Sequence, residues 1–312
     1  MLHIYQSQAD GTLKELQELA SGCWVSLVDP EEQEVERLLS LLRIEPDLIR
    51  DALDEEEIPR IEREEQYVLI IVDIPVVIRE GTSSALYDTY PLAIIVTPDY
   101  FVTVTLKENP IIDDFVQKKV KDFYTFMKTR FVLQLLFSID SYYLKYLKRI
   151  NKRTNEIEEA LHQSMRNQEL YSLLSLSKSL VYFTTSLKAN ELVMEKLLRN
   201  KYLKMYAEDE DLMEDVIIEN KQAIEMAHIY SNILSGMMDA FASVISNNVN
   251  IVMKFLTSIT IILAIPTMIA SFYGMNVALP GQEAPFAFGL IIAFSILLAT
   301  LIGFIFARKR YL

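Results

Sequence analysis

The sequence predicts a small α/β domain followed by helices to the C-terminus, the last two long and apolar enough to cross a bilayer. Three observations carry that reading. Strand-like, β-branched runs are confined to residues 1–105, and the pattern from Ile111 onward is helical. The charge-free stretches 255–272 and 284–307 each come close to the roughly 20 residues that cover about 30 Å of hydrocarbon as a helix.

In the first domain, His3–Gln6 and Cys23–Val28 are short apolar runs with strand character. Asp29 followed by Pro30 reads as an N-cap and first helical position, opening a helix to about Leu42, and a second short helix is expected over Glu45–Leu53. Tyr67–Val77, Leu92–Val96 and Tyr100–Thr105 are rich in β-branched residues, with Thr97-Pro98-Asp99-Tyr100 as the turn between the last two.

Beyond it, Phe123–Met165 and Gln168–Tyr202 are long amphipathic stretches, and the acidic Glu208–Asp211 reads as the turn before a third helix. Between Asp211 and Ile265 there is no proline and one glycine, Gly236. A helix from Leu212 to Phe272, kinked at most at Pro266, would be about 90 Å long, too long to lie wholly in a bilayer. The boundaries are 1–125 for the α/β domain, 126–250 for a helical region and stalk, 251–273 and 285–307 for two membrane helices, 274–284 for their loop, and 308–312 for a basic tail.

Charge is unevenly distributed. The chain carries −13, yet the five charged residues after Asn250 sum to +3, leaving −16 on the first 250. So acidic a soluble part disfavours nucleic acid and suits cations. Lys254 precedes the first span and Arg308-Lys309-Arg310 follow the second, while their loop has only Glu283, which places both termini in the cytoplasm. Met1–Ala20 is polar and mixed in charge, so no signal peptide is expected, and a single cysteine, Cys23, excludes an intramolecular disulfide.

Stepping alternately by four and three along the long helix passes Asp239, Ser243, Ser246, Asn250, Met253, Thr257, Thr260, Ala264, Thr267 and Ser271, all polar or small except Met253. That spacing keeps one face directed one way when helices supercoil. Phe241, Ile245, Val249, Val252, Phe255, Ile259, Ile262 and Leu263 line the flanks. A stripe of hydroxyls and amides cannot face lipid cheaply, so it faces water or another helix. It is either the lining of a pore shared by several copies of the chain, or a packing seam whose Ser and Thr bond to their own i−4 carbonyls.

The stripe ends at Tyr273-Gly274-Met275-Asn276, between the two spans. These four residues, with Ser246-Asn247, Asn250, Met253-Lys254, Leu256-Thr257 and Pro266-Thr267, resemble the CorA family of divalent-cation channels. In the N-terminal half Trp24-Val25-Ser26-Leu27 with Pro30, and Ile58-Pro59-Arg60-Ile61-Glu62 leading into Tyr67-Val68-Leu69-Ile70-Ile71, are similar to that family's cytosolic domain. The resemblance implies an α+β cytosolic domain built as an α/β/α sandwich, a long stalk helix, two C-terminal membrane helices and a homopentameric funnel in the inner cell membrane.

It further implies passive magnesium uptake driven by the membrane potential, with cobalt or nickel as possible passengers. Tyr273, Gly274, Met275 and Asn276 would form the selectivity filter, Met253 and Leu256 a hydrophobic constriction, and Asp215 with Asp211 and Glu219 a regulatory magnesium site that closes the channel. The pattern departs from the family at Ala264, where a second bulky ring is expected, and in the loop Leu279-Pro280-Gly281-Gln282-Glu283. The expected partners are the chain itself, lipid and divalent cations, with no organic cofactor and no nucleic acid.

Enzymatic chemistry is not expected. His3, His162 and His228 are far apart in sequence, Cys23 has no neighbouring His or Lys to activate it, and no Gly-x-x-x-x-Gly-Lys loop is present. Two other readings stay open: a CorA-like zinc or other transition-metal transporter, and a membrane-anchored scaffold or signalling protein, which would need neither stripe nor filter.

Overall fold

The computed structural model describes the chain except residues 9–10, 43–45, 80–85, 164–166, 278–280, 282–284, 310 and 312. It divides into two compact units, Met1–Met237 and Met238–Leu312.

The first unit is built on a seven-stranded sheet: β1 (Leu2–Ser7), β2 (Leu13–Leu16), β3 (Trp24–Val28), β4 (Arg60–Arg63), β5 (Val68–Arg79), β6 (Leu86–Val96) and β7 (Phe101–Thr105), in the order β2-β1-β3-β7-β6-β5-β4. Among the described residues only β3 and β7 pair in parallel; the other neighbours are antiparallel. Strands β3 and β7 and the Tyr90–Val96 part of β6 are buried almost without interruption because both faces of the sheet are covered.

On one face lie α1 (Glu32–Leu42) and α2 (Pro46–Asp51), whose Val35, Leu38, Leu48 and Ile49 pack with Val25, Leu27, Ile71, Ile95, Val102 and Val104. On the other lie α3 (Pro110–Val116), α4 (Lys128–Gln163) and α5 (Asn167–Asn200). An aromatic cluster joins that face to the sheet: Trp24 meets Phe123 and Phe131 edge-on at 5.9 and 5.2 Å, and Phe101 stacks on Phe131 at 4.0 Å. Trp24 Nε1 donates to Thr103 Oγ1 at 2.9 Å, so its one polar atom is satisfied inside the core. This is the α/β/α sandwich the sequence suggested, with Trp24 as a core aromatic.

Several boundaries differ from the expectation, each for a local reason. Helix α1 begins at Glu32 rather than Pro30, and Asp29 takes φ 45°, a left-handed conformation incompatible with the extended backbone of an N-cap. Glu34 supplies the closure instead, its carboxylate accepting from Glu31 N at 3.0 Å and Leu2 N at 2.9 Å. Strands β2 and β4, short edge strands, carry too little alternation to be legible. Glu208–Asp211 is no turn: α6 starts at Ala207, and Glu208, Asp209 and Glu210 occupy its first turn, where carboxylates complement the helix dipole. Asp209 Oδ2 accepts from Tyr206 N at 3.1 Å.

Helix α6 (Ala207–Tyr273) runs 67 residues, with Pro266 inside it, and α7 (Ala287–Arg308) follows. Both are long and apolar enough to cross a membrane, and only 6% of each apolar window is buried within the chain. Arg310 and the loop residues Leu279, Pro280, Gln282 and Glu283 lie outside the described residues, as does the His162 side chain.

Candidate functional site

Helix α6 shows two opposed faces in its first half. Met213, Val216, Asn220, Ala223, Ala227 and Leu234 are fully buried and recur at intervals of three, four or seven. Asp211, Asp215, Ile218, Gln222, Glu225, Ile229, Asn232 and Gly236 recur on the other side, and every one is exposed. Glu219, between the two sets, is half-buried.

The exposed series continues without a break of step into the predicted stripe. Asp239, Ser243, Ser246, Asn250, Met253, Thr257, Thr260, Ala264, Thr267 and Ser271 are all exposed, as is the flanking Leu256. The same alternation of three and four thus marks an exposed face in each unit, Asp211 to Gly236 in the first and Asp239 to Ser271 in the second. Since an α-helix drifts about 20° per heptad, such a seam winds around α6 rather than lying straight along it.

In the second unit α7 packs against the opposite side of α6. Ser258 is buried, its Oγ donating to Lys254 O at 2.7 Å and lying 3.5 Å from Tyr311 O. Gly303 faces Ile262, where an added Cβ would meet Ile262 Cδ1 at 3.6 Å. Pro266, Ala270 and Tyr273 face Phe288, Ile291 and Ser295 across a cleft of about 430 Å³. At 100° per residue, Ser258, Ile262, Pro266 and Ala270 point away from Thr257, Thr260, Ala264 and Thr267. The stripe is not packed dry against the second span. It borders an open groove lined by Thr260, Leu263, Ala264, Thr267, Met268 and Ser271.

The i−4 bonding expected of a packing seam does occur here. Thr260 Oγ1 donates to Leu256 O at 2.8 Å and Thr267 Oγ1 to Leu263 O at 2.9 Å. Each proton is thus used within the helix, and the hydroxyl presents its remaining lone pairs outward. A row of outward acceptors without fixed charge suits the water shell of a cation.

At the end of the stripe, Gly274 N donates to Ala270 O at 2.9 Å and Met275 N to Phe272 O at 3.2 Å, which closes α6 in a tight turn. A Cβ on Gly274 would sit 3.3 Å from Ala270 O, so the need for glycine is close backbone approach, not a left-handed φ. Tyr273, Met275 and Asn276 are exposed. The only other sizeable apolar groups on the seam are Met253, with Leu256 beside it, and the isolated Ile218 and Ile229; the first pair are 55% and 56% exposed, bulk that a dry interior would have covered.

Among the described residues no three His, Cys, Asp or Glu side chains converge as a metal cluster within one chain. His3 Nδ1 is 2.6 Å from Glu15 on the sheet edge, His228 is half-buried on α6, and Cys23 is fully buried, where burial pushes its thiol up, the reverse of activation.

The family model described as CorA-like Mg²⁺ transporter protein matches residues 20–310. The chain is 30% identical over 295 residues to the cobalt/magnesium transport protein CorA of Methanocaldococcus jannaschii, covering 93% of this chain and 91% of that one. It is 22% identical to the protein of the same name from Thermotoga maritima, over 89% and 80% of the two chains. The complete structure of the CorA magnesium transporter from M. jannaschii superposes with a TM-score of 0.85 at 27% identity, covering 100% of this chain and 99% of that one.

Proposed function

The chain belongs to the family of CorA-like magnesium transporters, and on that premise we propose that it conducts magnesium through a pore lined by the seam of α6 from several copies. The observation that carries this reading is the exposure of every stripe residue on the side of α6 turned away from α7. Two spans cannot enclose a channel, so a polar face left uncovered in the bilayer must be closed by other copies around water. A homopentamer in the inner cell membrane, with both termini cytoplasmic, is the assembly we infer.

The chemistry follows from the ion. Magnesium dehydrates reluctantly and prefers octahedral oxygen at about 2.0–2.1 Å. A ring of Asn276 amide and Gly274 backbone oxygens would select the hydrated ion through its waters, and the outward lone pairs of Thr260 and Thr267 would pass that shell along. Met253 and Leu256 form a ring that closes the pore by dewetting. A potential gives about 2.3 kcal/mol per charge per 100 mV, hence about 4.6 kcal/mol for a divalent ion, enough for passive uptake without ATP chemistry.

Closure by cytosolic magnesium is assigned to Asp211 and Asp215, exposed on the seam one turn apart. Carboxylates from neighbouring copies repel until a cation bridges them. Cobalt and nickel are the expected passengers; transport of zinc is the rival reading, and a scaffold role leaves the stripe and filter without a use.

Liposomes containing the purified full chain and a magnesium indicator test the proposal. Magnesium should pass down its gradient in preference to zinc, Asn276→Ala should abolish selectivity or flux, and Asp215→Lys should weaken closure by internal magnesium. Unchanged selective flux in Asn276→Ala would remove the filter assignment; a zinc-selective wild type would favour the rival.

A further inference from the structure

Where α6 packs on α4, the hydrogen-bond count of one buried pair does not close. Asn220 Nδ2 donates to Asp140 Oδ1 at 2.9 Å, and both residues are 0% exposed. Asp140 Oδ2 and Asn220 Oδ1 are also buried, and neither has a partner. An unsatisfied buried acceptor is costly, and an uncompensated buried carboxylate more so. The pair thus leaves two buried acceptor oxygens without a donor.

A single proton repairs both. A carboxylic acid and a carboxamide side by side form a ring of two hydrogen bonds, N–H to the acid carbonyl and acid O–H to the amide oxygen. The first is present; the two orphaned oxygens are the pair that the second would join. We propose that Asp140 is kept as a neutral acid whose Oδ2 hydroxyl donates to Asn220 Oδ1, making a two-bond clasp between α4 and α6.

The surroundings act in the same direction. Burial pushes the Asp140 carboxyl well above the ordinary carboxylate range; the Asn220 hydrogen bond offsets part of that, and the negative charge of Glu219 on α6 adds to the push. From α4 itself the titratable neighbour is Tyr143, whose hydroxyl donates to Asp73 O of β5 at 3.1 Å and so gives Asp140 no proton. The clasp is directional where the flanking Met213, Val216, Ala223 and Ala227 are not. It fixes which side of α6 is turned to α4, and with it which side stays open as the seam. Buried polar pairs set register in helical packing in this way.

The clasp does not depend on the transport reading, and its test uses the full chain in detergent. Infrared difference spectra at neutral pH, wild type against Asp140→Asn, should show the carbonyl stretch of one neutral carboxylic acid in the wild type and its loss in the variant. Asp140→Asn retains both bonds as an amide–amide ring, so its melting temperature should match wild type, whereas Asp140→Ala should melt several degrees lower. Absence of the acid band, or an Asp140→Asn protein as destabilised as Asp140→Ala, would overturn the proposal. Loss of magnesium flux with the band intact would bear on the transport reading alone.

Discussion

The two units solve the problem of apolar surface in opposite ways. Residues 1–237 cover both faces of a sheet, so that Trp24, Phe101, Phe131 and Tyr143 are fully buried by their own chain. Residues 238–312 leave large apolar side chains such as Phe255, Leu263, Phe288 and Phe294 at least half exposed. A soluble protein could not tolerate the second pattern. The apolar flanks of α6 and α7 suit lipid, while the polar stripe is one for which lipid is the wrong solvent. The first unit buries its large apolar side chains within its own chain; the second leaves them exposed.

That contrast can be broken by its largest expected effect, in the sandwich. Trp24→Ala should destabilise the first unit by about 3–5 kcal/mol, seen as a lowered first transition on thermal unfolding in detergent. An unchanged transition would mean that the aromatic cluster is not the keystone the ring contacts imply.

A charge effect of about 3 kcal/mol should also be confined to the first unit. Burial pushes the Asp73 carboxyl up to about 6. Between the ordinary carboxylate range and about pH 6 the native state therefore holds a proton that the unfolded chain has released, so stability falls as pH rises through that window and stays reduced above it. Asp73→Asn should flatten the slope and raise stability at pH 7 by about 3 kcal/mol. A pH profile of unfolding with the same slope in both proteins would refute the shift.

The seam gives the next effect. Thr267→Leu places bulk and apolar surface where outward lone pairs stand, and should cut magnesium flux about tenfold or more with little change in melting. Flux at the wild-type rate would sharpen the choice toward a packing seam. Smallest of all, Ser258→Ala on the α7 side should cost under about 1 kcal/mol and leave flux intact, since its hydroxyl serves a backbone carbonyl inside the unit. A flux defect there as large as at Thr267 would erase the distinction between the two sides of α6.

Much of this was legible in the chain because it rests on local period and composition. The central strands, the long final helices, the charge asymmetry and the stripe from Asp239 to Ser271 follow from which residue types repeat at two or at about 3.5. The end of α6 at Tyr273 was legible because a helix stop is local too. Edge strands β2 and β4 were not, for four residues of mixed polarity acquire strand geometry only from the neighbour that pairs them. The acidic run Glu208–Asp211 misled because carboxylates suit a turn and a helix first turn equally well, and the Tyr206–Asp209 bond decides between them.

Sequence by itself thus determined which face of α6 is polar, since a side chain's direction on a helix depends on its number alone. It could not determine what that face meets. Burial of Met213, Val216 and Asn220 against the sandwich, and of Ser258 against α7, was decided by tertiary packing, because contact between distant segments depends on how whole surfaces fit. Each contact leaves the polar face of its own unit uncovered, and the Asp140–Asn220 pair, 80 residues apart in the chain, became visible only when α4 and α6 were brought together.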